Sequence, residues 1–298
     1  MTDIQELITG LKECMNYDVD DTAVIGDCIN IIRMISKKIV SIYREHDDDL
    51  MSQISDIMTV VIGKMASRLT VVLGYILCIL YHLRRYGDAL NVVEVLMESK
   101  PLNFSVFIKA SDSAMYGYYY GKLLIVNSRY QNAAESFERA YMCASPNFQE
   151  VILMYLVPLQ LRRGKYVPRD LLEKVNNVLL LELCDVVSCG DVYNYEQLLK
   201  ENGSALLSVG LYPLYNSLRI VVYRNLLDFV FRTKKVTKMH LELFVKAVQA
   251  TGEKECDLIT VQNMITNMAS DKILKGAVYI GMKAMAAAPC DTLTYYQF

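Results

Sequence analysis

Basic side chains near the carboxyl end are the residues whose type and spacing best suit chemistry with another molecule. They fall in two clusters, at 232–238 and at 272–283. Lysine and arginine neutralise nucleic-acid phosphates, and several on one face add up through counterion release. The candidate phosphate contacts are Arg232, Lys234, Lys235, Lys238, Lys272, Lys275 and Lys283. The alternative interpretation of both clusters is a solvated surface.

A second basic set occupies positions that suit docking of a protein. Arg162, Arg163 and Lys165 lie at a predicted hairpin turn, where a basic edge could receive an acidic partner. An ordinary solvated turn is the alternative. Arg224 lies in a predicted apolar helix with Asp228 one turn later. For Arg224 the open interpretations are partner binding as an interface anchor and a surface salt bridge to Asp228.

Motifs for catalysis and for metal binding are missing from the sequence. It has no Gly-rich phosphate loop, no nucleophile elbow and no His-Glu-x-x-His. His46, His82 and His240 lie far apart, and the eight cysteines form no Cys-x-x-Cys pair. The 21 tyrosines lie mostly on helical apolar stripes, which favours core packing over base stacking. We therefore predict a non-enzymatic protein without a cofactor or a metal site.

Composition bounds the class of protein further. The chain has 298 residues, of which 53% are hydrophobic and 21% charged, so it can bury a large core. Its most apolar segment, 69–83, is shorter than the about 20 residues of a membrane span, and the first residues are acidic where a signal peptide is basic. We expect an intracellular protein with no membrane segment. Basic residues outnumber acidic ones beyond 215, which favours an acidic partner there.

The clearest local pattern is a helical hairpin over 116–141. Apolar residues recur with the helical period on both sides of a polar break at 127–129. Gly121, Ala133, Phe137 and Ala140 match the small, small, aromatic and small positions of a tetratricopeptide unit. Small side chains at these positions let two helices approach closely enough for one aromatic ring to fill the gap.

The same pattern occurs a second time, 44 residues earlier. The aligned pairs are Tyr86 with Tyr130, Ala89 with Ala133, and Val93 with Phe137. Two more helical pairs follow, one turning at Gly164 and one at 188–191, and Pro158 lies inside a predicted helix. Such self-similarity is typical of stacked helical repeats. We predict a mainly α fold, with a right-handed TPR-like helical-repeat solenoid over residues 1–210.

Beyond residue 210 the pattern changes. It predicts one long apolar helix over 211–231, a basic break at 232–238, and helices over 240–250 and 258–269. Two short strands follow within 271–288, joined at Gly281. Three helices followed by a two-stranded wing have the order of a winged helix. We predict a winged-helix domain over residues 211–298.

Helical repeats that end in a winged helix resemble the PCI domain, the shared module of proteasome-lid, signalosome, initiation-factor and mRNA-export scaffolds. The stretches 118–141 and 153–175 resemble the family's tyrosine-rich hairpin and its leucine-rich helix with internal proline and glycine-lysine turn. The stretches 186–199 and 217–231 resemble its glycine-aspartate hairpin and its arginine-asparagine helix. The resemblance is to the branch of the TREX-2 mRNA-export complex PCI subunit and its signalosome-associated paralogue.

The resemblance implies a scaffold subunit of TREX-2, which couples transcription to nuclear mRNA export. It implies pairing of winged helices with a larger PCI subunit, and binding of a small acidic, disordered protein. It also implies a composite basic surface for RNA or DNA, and a nuclear location at nuclear pores. One alternative is a signalosome or proteasome-lid subunit without nucleic-acid binding, which would also be cytoplasmic. Another is a generic repeat-type protein-binding module without a true wing.

Overall fold

The computed structural model describes residues 4–16, 22–45, 47–65, 73–99, 109–175, 177–234, 238–270, 274, 276–279 and 284–287. The chain packs as two compact units, Met1–Ile152 and Leu153–Phe298. The described residues of the first unit are helical, and those of the second add a small sheet. None of the helices in these ranges is both long and apolar enough for a membrane span.

The first unit is a series of packed helices. They are α1 (Ile4–Cys14), α2 (Thr22–Glu45), α3 (Asp48–Met65), α4 (Leu73–His82), α5 (Tyr86–Ser99), α6 (Ala110–Val126), α7 (Tyr130–Cys143) and the start of α8 (Pro146–Arg162). Ile32, Ile35 and Ile39 of α2 are fully buried, as the three- and four-residue spacing of this amphipathic helix predicts. The core of this unit lies between such apolar stripes.

The predicted hairpin is confirmed as α6 and α7. A Cβ built at Gly121 would lie 2.6 Å from the ring of Phe137, and one at Gly117 would lie 2.8 Å from the carbonyl oxygen of Ser136. The Ser136 hydroxyl in turn donates to the carbonyl oxygen of Gly117 over 2.9 Å. Two glycines therefore allow the close helix contact that the small-residue pattern predicts.

The repeat over 44 residues is also confirmed, and it extends to the backbone of the turns. Helices α5 and α7 begin at the aligned tyrosines, and the aligned positions Ala89 and Ala133 are fully buried. Arg84 and Ser128, also 44 residues apart, have φ angles of 57° and 58°. In each turn the next residue donates its N–H to the carbonyl five residues back, Arg85 to Leu80 and Arg129 to Leu124. This is the Schellman closure of a helix.

The second unit contains the rest of α8, seven further helices and three short strands within the described residues. These are α9 (Arg169–Val175), α10 (Val178–Cys189), α11 (Val192–Ser208), α12 (Tyr212–Asn216), α13 (Arg219–Lys234), β1 (Lys238–His240), α14 (Leu241–Ala250), α15 (Leu258–Ser270), β2 (Gly276–Tyr279) and β3 (Ala284–Ala287). The strands form an antiparallel sheet in the order β1-β3-β2. Met285 of β3 is paired with Met239 on one side and Val278 on the other.

The predicted turns at Gly164 and Gly190 are confirmed. Both residues have left-handed backbones, with φ angles of 74° and 69°. Asp191 follows as the N-cap of α11, where its carboxylate accepts from the backbone N–H of Asn194 over 3.0 Å. Pro158 lies inside α8, as predicted.

The prediction of one long helix over 211–231 is wrong. The segment folds as α12 and α13, which are separated at Ser217 and Leu218. Pro213 starts α12 in its first turn, where a missing N–H costs nothing. At the bend the Ser217 hydroxyl donates to Leu214, and the Arg162 guanidinium donates to the Ser217 carbonyl over 3.0 Å. These bonds satisfy polar groups that the break releases.

The carboxyl-terminal motif also differs in detail from its prediction. Helix α13 continues to Lys234, so the basic break begins later than residue 232. Strand β1 was not predicted, because its three residues are too few to show an alternating pattern. The two wing strands are confirmed as β2 and β3. The mainly α class with helical repeats and a winged-helix order is therefore confirmed, and the handedness of the repeats stays a prediction.

The two compact units do not divide the chain at residue 210. Helices α10 and α11 pack against α13, so they belong to the same unit as the strands and the last helices. Along the chain, the boundary between the two units falls between Ile152 and Leu153, inside α8. The predicted division into a repeat part, 1–210, and a winged-helix part, 211–298, follows the sequence motifs, whereas the compact units follow the packing. That division therefore stays a prediction.

Candidate interaction surfaces

A buried asparagine joins α13 to the two turns that precede it. Asn225 is 5% exposed, and its side-chain nitrogen donates to the Val187 carbonyl over 2.6 Å and to the Tyr166 hydroxyl over 3.1 Å. Its side-chain oxygen accepts from two nitrogens of Arg224, over 2.8 and 3.1 Å. The buried amide thus has partners for both of its donors and for its acceptor.

Close backbone contacts fix the same junction. A Cβ at Gly190 would lie 2.4 Å from the backbone nitrogen of Leu226, and one at Gly164 would lie 3.3 Å from the Arg224 guanidinium. Arg224 therefore lies against the turn and the amide. Its proposed salt bridge to Asp228 is wrong, because Asp228 accepts from Arg232 over 2.8 Å. An acid four residues before a base is the favoured helical orientation, which could have indicated this pairing.

The structure brings Arg162, Arg163 and Lys165 together at the turn, half-buried, around Gly164. The Arg162 guanidinium contributes to the α12–α13 bend through Ser217. The structure thus shows an internal role for Arg162. Binding of a partner by the residues of this turn stays a prediction.

A groove of about 330 Å³ lies beside this bend. Its charged, aromatic and apolar lining residues are Arg162, Arg219, Ile220, Tyr223, Met264 and Met268. Arg219 is paired with Glu196 over 2.7 Å, and the Tyr223 hydroxyl donates to the Glu253 carboxylate. Burial, followed by Glu253, raises the pKa of Tyr223, so this donor keeps its proton. A groove lined by two arginines and by apolar side chains suits a segment with apolar and acidic side chains.

Sequence reasoning missed this groove, because its lining residues lie on α8, α12, α13 and α15, which are far apart along the chain. The only signal available was the excess of basic residues in this part of the chain.

Three of the predicted phosphate contacts lie at the end of α13 and in β1. Arg232, Lys234 and Lys238 are exposed, and of these Arg232 has the carboxylate of Asp228 as a partner. The other four, Lys235, Lys272, Lys275 and Lys283, lie outside the described residues. Sequence reasoning did not include Phe229, which is 61% exposed one helical turn before Arg232.

Helix α15, the second helix of the α14–α15 pair, has no charged residue. Its exposed side chains are Ile259, Thr260, Asn263, Thr266, Asn267 and Ser270. In a helix-turn-helix arrangement the second helix is the one that reads a nucleic-acid groove. Without lysine or arginine this helix has no side chain that can neutralise phosphate. Exposed cations among the described residues of this region lie on α13 and β1, and also at Lys246 of α14 and Lys254 of the α14–α15 loop.

A separate cluster in the first unit surrounds a half-buried lysine, Lys122. The Lys122 amine lies 4.0 Å from the ring centroid of Tyr81, and 5.4 and 5.5 Å from those of Tyr118 and Tyr119. Burial lowers the pKa of Lys122 to about 8. Burial, and then the Lys122 charge, lowers the pKa of His82 to about 4. The predicted core role is confirmed for Tyr118 and Tyr119, which are buried.

Metal-ligating side chains are scattered over the described part of the chain. No group of three or more histidines, cysteines, aspartates or glutamates converges there. The cysteines of these ranges have free thiols, and burial raises the pKa of Cys78 to about 11.

No protein-family model matches the chain. The chain is 26% identical over 166 residues to the PCI domain-containing protein 2 homolog of Drosophila melanogaster, which covers 55% of the chain and 42% of that protein. It is 26% identical over 199 residues to the Dictyostelium discoideum homolog of the same name, covering 65% of the chain and 44% of that protein.

The chain is also 24% identical over 199 residues to the Protein CSN12 homolog of Schizosaccharomyces pombe, which covers 63% of the chain and 46% of that protein. Each match spans less than half the length of the curated relative. The helical repeats, the winged-helix order of the second unit and these similarities together identify the chain as a PCI-domain family protein.

Proposed function

We propose that this protein is a non-enzymatic scaffold subunit of the TREX-2 complex, which couples transcription to nuclear mRNA export. The observation that carries the proposal is the similarity to PCI domain-containing protein 2 homologues, over a chain with helical repeats and a winged-helix order. In this proposal the protein acts by assembly: it holds partners in place, and it works in the nucleus at nuclear pores.

The first partner is a larger PCI subunit, and the small sheet supplies a way to bind it. The order β1-β3-β2 leaves β1 and β2 as outer strands. An outer strand has unpaired backbone donors and acceptors along one side, so a strand from another chain can extend the sheet. Pairing of this kind would join two winged helices edge to edge.

The second partner is a small acidic, disordered subunit. The groove beside the α12–α13 bend supports its placement, since the groove combines Arg162 and Arg219 with the apolar side chains of Met264 and Met268. A disordered acidic segment loses entropy when it is ordered, and apolar burial together with charge pairing can offset that cost. Arg163 and Lys165 at the neighbouring turn would extend the basic edge.

The third partner is RNA or DNA at a composite basic surface. From this chain the surface would include Arg232, Lys234 and Lys238, which are exposed at the end of α13 and in β1. The remaining lysines of the two basic clusters would add to it. Because α15 is uncharged, the larger PCI subunit would supply much of the positive charge.

The test is a mild-salt affinity purification of the tagged protein from its native cells, followed by mass spectrometry. The expected result is recovery of a larger PCI protein, a small acidic protein and nuclear-pore or export factors. Recovery of signalosome or proteasome-lid subunits without export factors would overturn the proposal.

A second candidate function is a scaffold subunit of a signalosome or proteasome-lid complex, without nucleic-acid binding. The similarity to the Protein CSN12 homolog and the uncharged α15 favour it. Salt-dependent RNA binding by the purified heterodimer would argue against this candidate, because it requires exposed cations that contact phosphate. The generic repeat module is not favoured, since the strands of a wing are present.

A further inference from the structure

The groove beside the α12–α13 bend has a carboxylate at its edge that the chain itself supplies. Arg219 lines the groove, and its Nη2 donates to one carboxylate oxygen of Glu196 on α11 over 2.7 Å. Its Nε lies 2.7 Å from the other oxygen of the same carboxylate. The two side chains are 47% and 38% exposed. Glu196 thus holds Arg219 by the two-point contact that arginine makes with carboxylates in general.

The position of Arg219 in its helix favours an anion beside it. Arg219 is the first residue of α13, and the first turn of this helix contains no acidic residue. That turn is the positive end of the helix dipole, where a cation is unfavourable and a carboxylate is stabilised. Because Glu196 comes from another helix, this carboxylate is not part of α13. A carboxylate from a second protein would be stabilised in the same way.

The pair of Arg219 and Glu196 is weak enough to be exchanged. An ion pair between exposed side chains changes an equilibrium constant by no more than about fivefold, because water solvates both ions once they separate. The acid on the other side of the groove differs. Glu253 accepts from the hydroxyl of Tyr223, which is 3% exposed. Of these two acids, Glu196 is therefore the one that an incoming segment can replace.

Exchange of one carboxylate for another gains little by itself, so a partner must also bring apolar side chains. Met264 and Met268 line the same groove as Arg219, and burial of an apolar side chain against them is favourable. The groove volume of about 330 Å³ is close to the roughly 300 Å³ of the smallest ligand sites, so it accommodates only a few side chains.

We infer that Glu196 is an internal competitor for this groove. An aspartate or glutamate of the partner replaces it at Arg219, while a neighbouring apolar side chain of the partner packs on Met264 and Met268. The inference rests on the proposed binding of an acidic subunit at this groove, and it identifies the ion pair that must break. Such a groove selects acidic segments with apolar side chains over segments that are only acidic.

The test measures fluorescence anisotropy of short labelled peptides with the full chain at low salt. One peptide consists of glutamate and leucine, a second of glutamine and leucine, and a third of glutamate and serine. Glu196→Gln removes the competing charge and keeps the size of the side chain. The matched control is Glu173→Gln, since Glu173 also forms an exposed ion pair, with Arg169, and does not line the groove. All variants should keep the wild-type circular dichroism and melting temperature, because the positions are exposed.

We expect Glu196→Gln to bind the peptide of glutamate and leucine about three- to fivefold more tightly than wild type. Glu173→Gln should change this affinity by less than about twofold, and neither variant should gain affinity for the uncharged peptide. The peptide of glutamate and serine should bind wild type about tenfold more weakly than the leucine peptide. Arg219→Gln should weaken binding, and Glu196→Gln added to it should have an effect below about twofold, because the competition acts through Arg219.

The inference is overturned if Glu196→Gln leaves the affinity unchanged or weakens it, since Glu196 would then position Arg219 and not compete for it. An equal gain in Glu173→Gln would also overturn it, because net charge alone would explain the effect. If Arg219→Gln does not weaken binding, or if wild type and Glu196→Gln bind no peptide, the proposed placement of the acidic subunit fails together with the inference. If Arg219→Gln weakens binding and Glu196→Gln does not strengthen it, the competition alone fails.

Discussion

Asn225 of α13 and Val187 of α10 are joined by a 2.6 Å hydrogen bond from the asparagine side chain to the backbone carbonyl. The bond connects residues 38 positions apart, and the same amide holds Tyr166 and Arg224. One side chain therefore ties together the last turn of a repeat helix, the turn after α8 and the first helix of the winged-helix order. Arg224, the basic residue beside this amide, donates its hydrogen bonds within the chain, to Asn225.

Replacing this amide should destabilise the second unit. Asn225→Ala removes the hydrogen bond of this amide to the Val187 carbonyl and its bonds to two nitrogens of the half-buried Arg224. A lost bond to a buried group costs about 1–3 kcal/mol, so we expect the free energy of unfolding to fall by about 2 kcal/mol or more. Urea denaturation followed by circular dichroism measures it. Asn263→Ala, at an exposed position of α15, is the control and should change stability by less than about 0.5 kcal/mol.

Gly190→Ala should destabilise the protein more than alanine at a glycine with open space around it. The new methyl would lie 2.4 Å from the Leu226 nitrogen, and the backbone has a φ of 69°, which disfavours any side chain. Since the contact is with backbone, α13 must move away. We therefore expect the free energy of unfolding to fall by about 3 kcal/mol or more. Gly26→Ala in α2 is the control. It has no atom within 4 Å of the new methyl and should stabilise by about 0.5–1 kcal/mol. Equal effects of the two substitutions would contradict the contact.

The lowered pKa of the half-buried Lys122 predicts a rise of stability with pH. The pKa of Lys122 is about 8 in the folded chain and 10.5 when unperturbed, so between these values the unfolded chain binds the proton and the folded chain does not. Stability then increases with pH, by at most about 1.4 kcal/mol per pH unit.

Urea denaturation at several pH values from 7.5 to 9.5, with wild type and Lys122→Met, isolates this contribution. The variant has no amine to titrate, whereas the raised pKa of Tyr116, which does not depend on Lys122, acts on both proteins alike. Over this pH range, we expect the free energy of unfolding of the wild type to rise by about 1–2 kcal/mol more than that of the variant. Parallel curves for the two proteins would show that the amine is not desolvated.

Charge reversal at the groove tests the placement of the acidic subunit. Arg219→Glu puts an anion beside Glu196 and the groove, so we expect about tenfold weaker binding of an acidic partner, with less dependence on salt. Calorimetric titration of the purified subunits measures the affinity. Arg169→Glu is the control, because Arg169 also forms exposed ion pairs, with Glu173 and Asp185, and does not line the groove. A similar loss in both variants would mean that only net charge matters.

The sequence predicts the local features because each depends on neighbours in the chain. The helical period identifies α6 and α7, and the small residues at Gly121 and Ala133 indicate which faces meet. The offset of 44 residues repeats even the left-handed turn, at Arg84 and Ser128, since the same spacing of apolar residues ends both helices in the same way. Glycine is the residue that adopts a positive φ most readily, and it predicts both turns, at Gly164 and Gly190, from the sequence.

Tertiary structure decided the features that depend on contacts between distant residues. Arg162 satisfies the bend at Ser217, 55 residues later, and the apolar period of 211–231 contains no sign of that break. Asp228 has an arginine one helical turn away on either side, and it pairs with Arg232. Arg224 donates instead to Asn225, which is held in place by its bond to the distant Val187 carbonyl. The groove beside the bend and strand β1 exist only once separate elements meet. The sequence by itself thus determined the helices, their repeat and their turns, whereas the direction of each basic side chain was set by long-range packing.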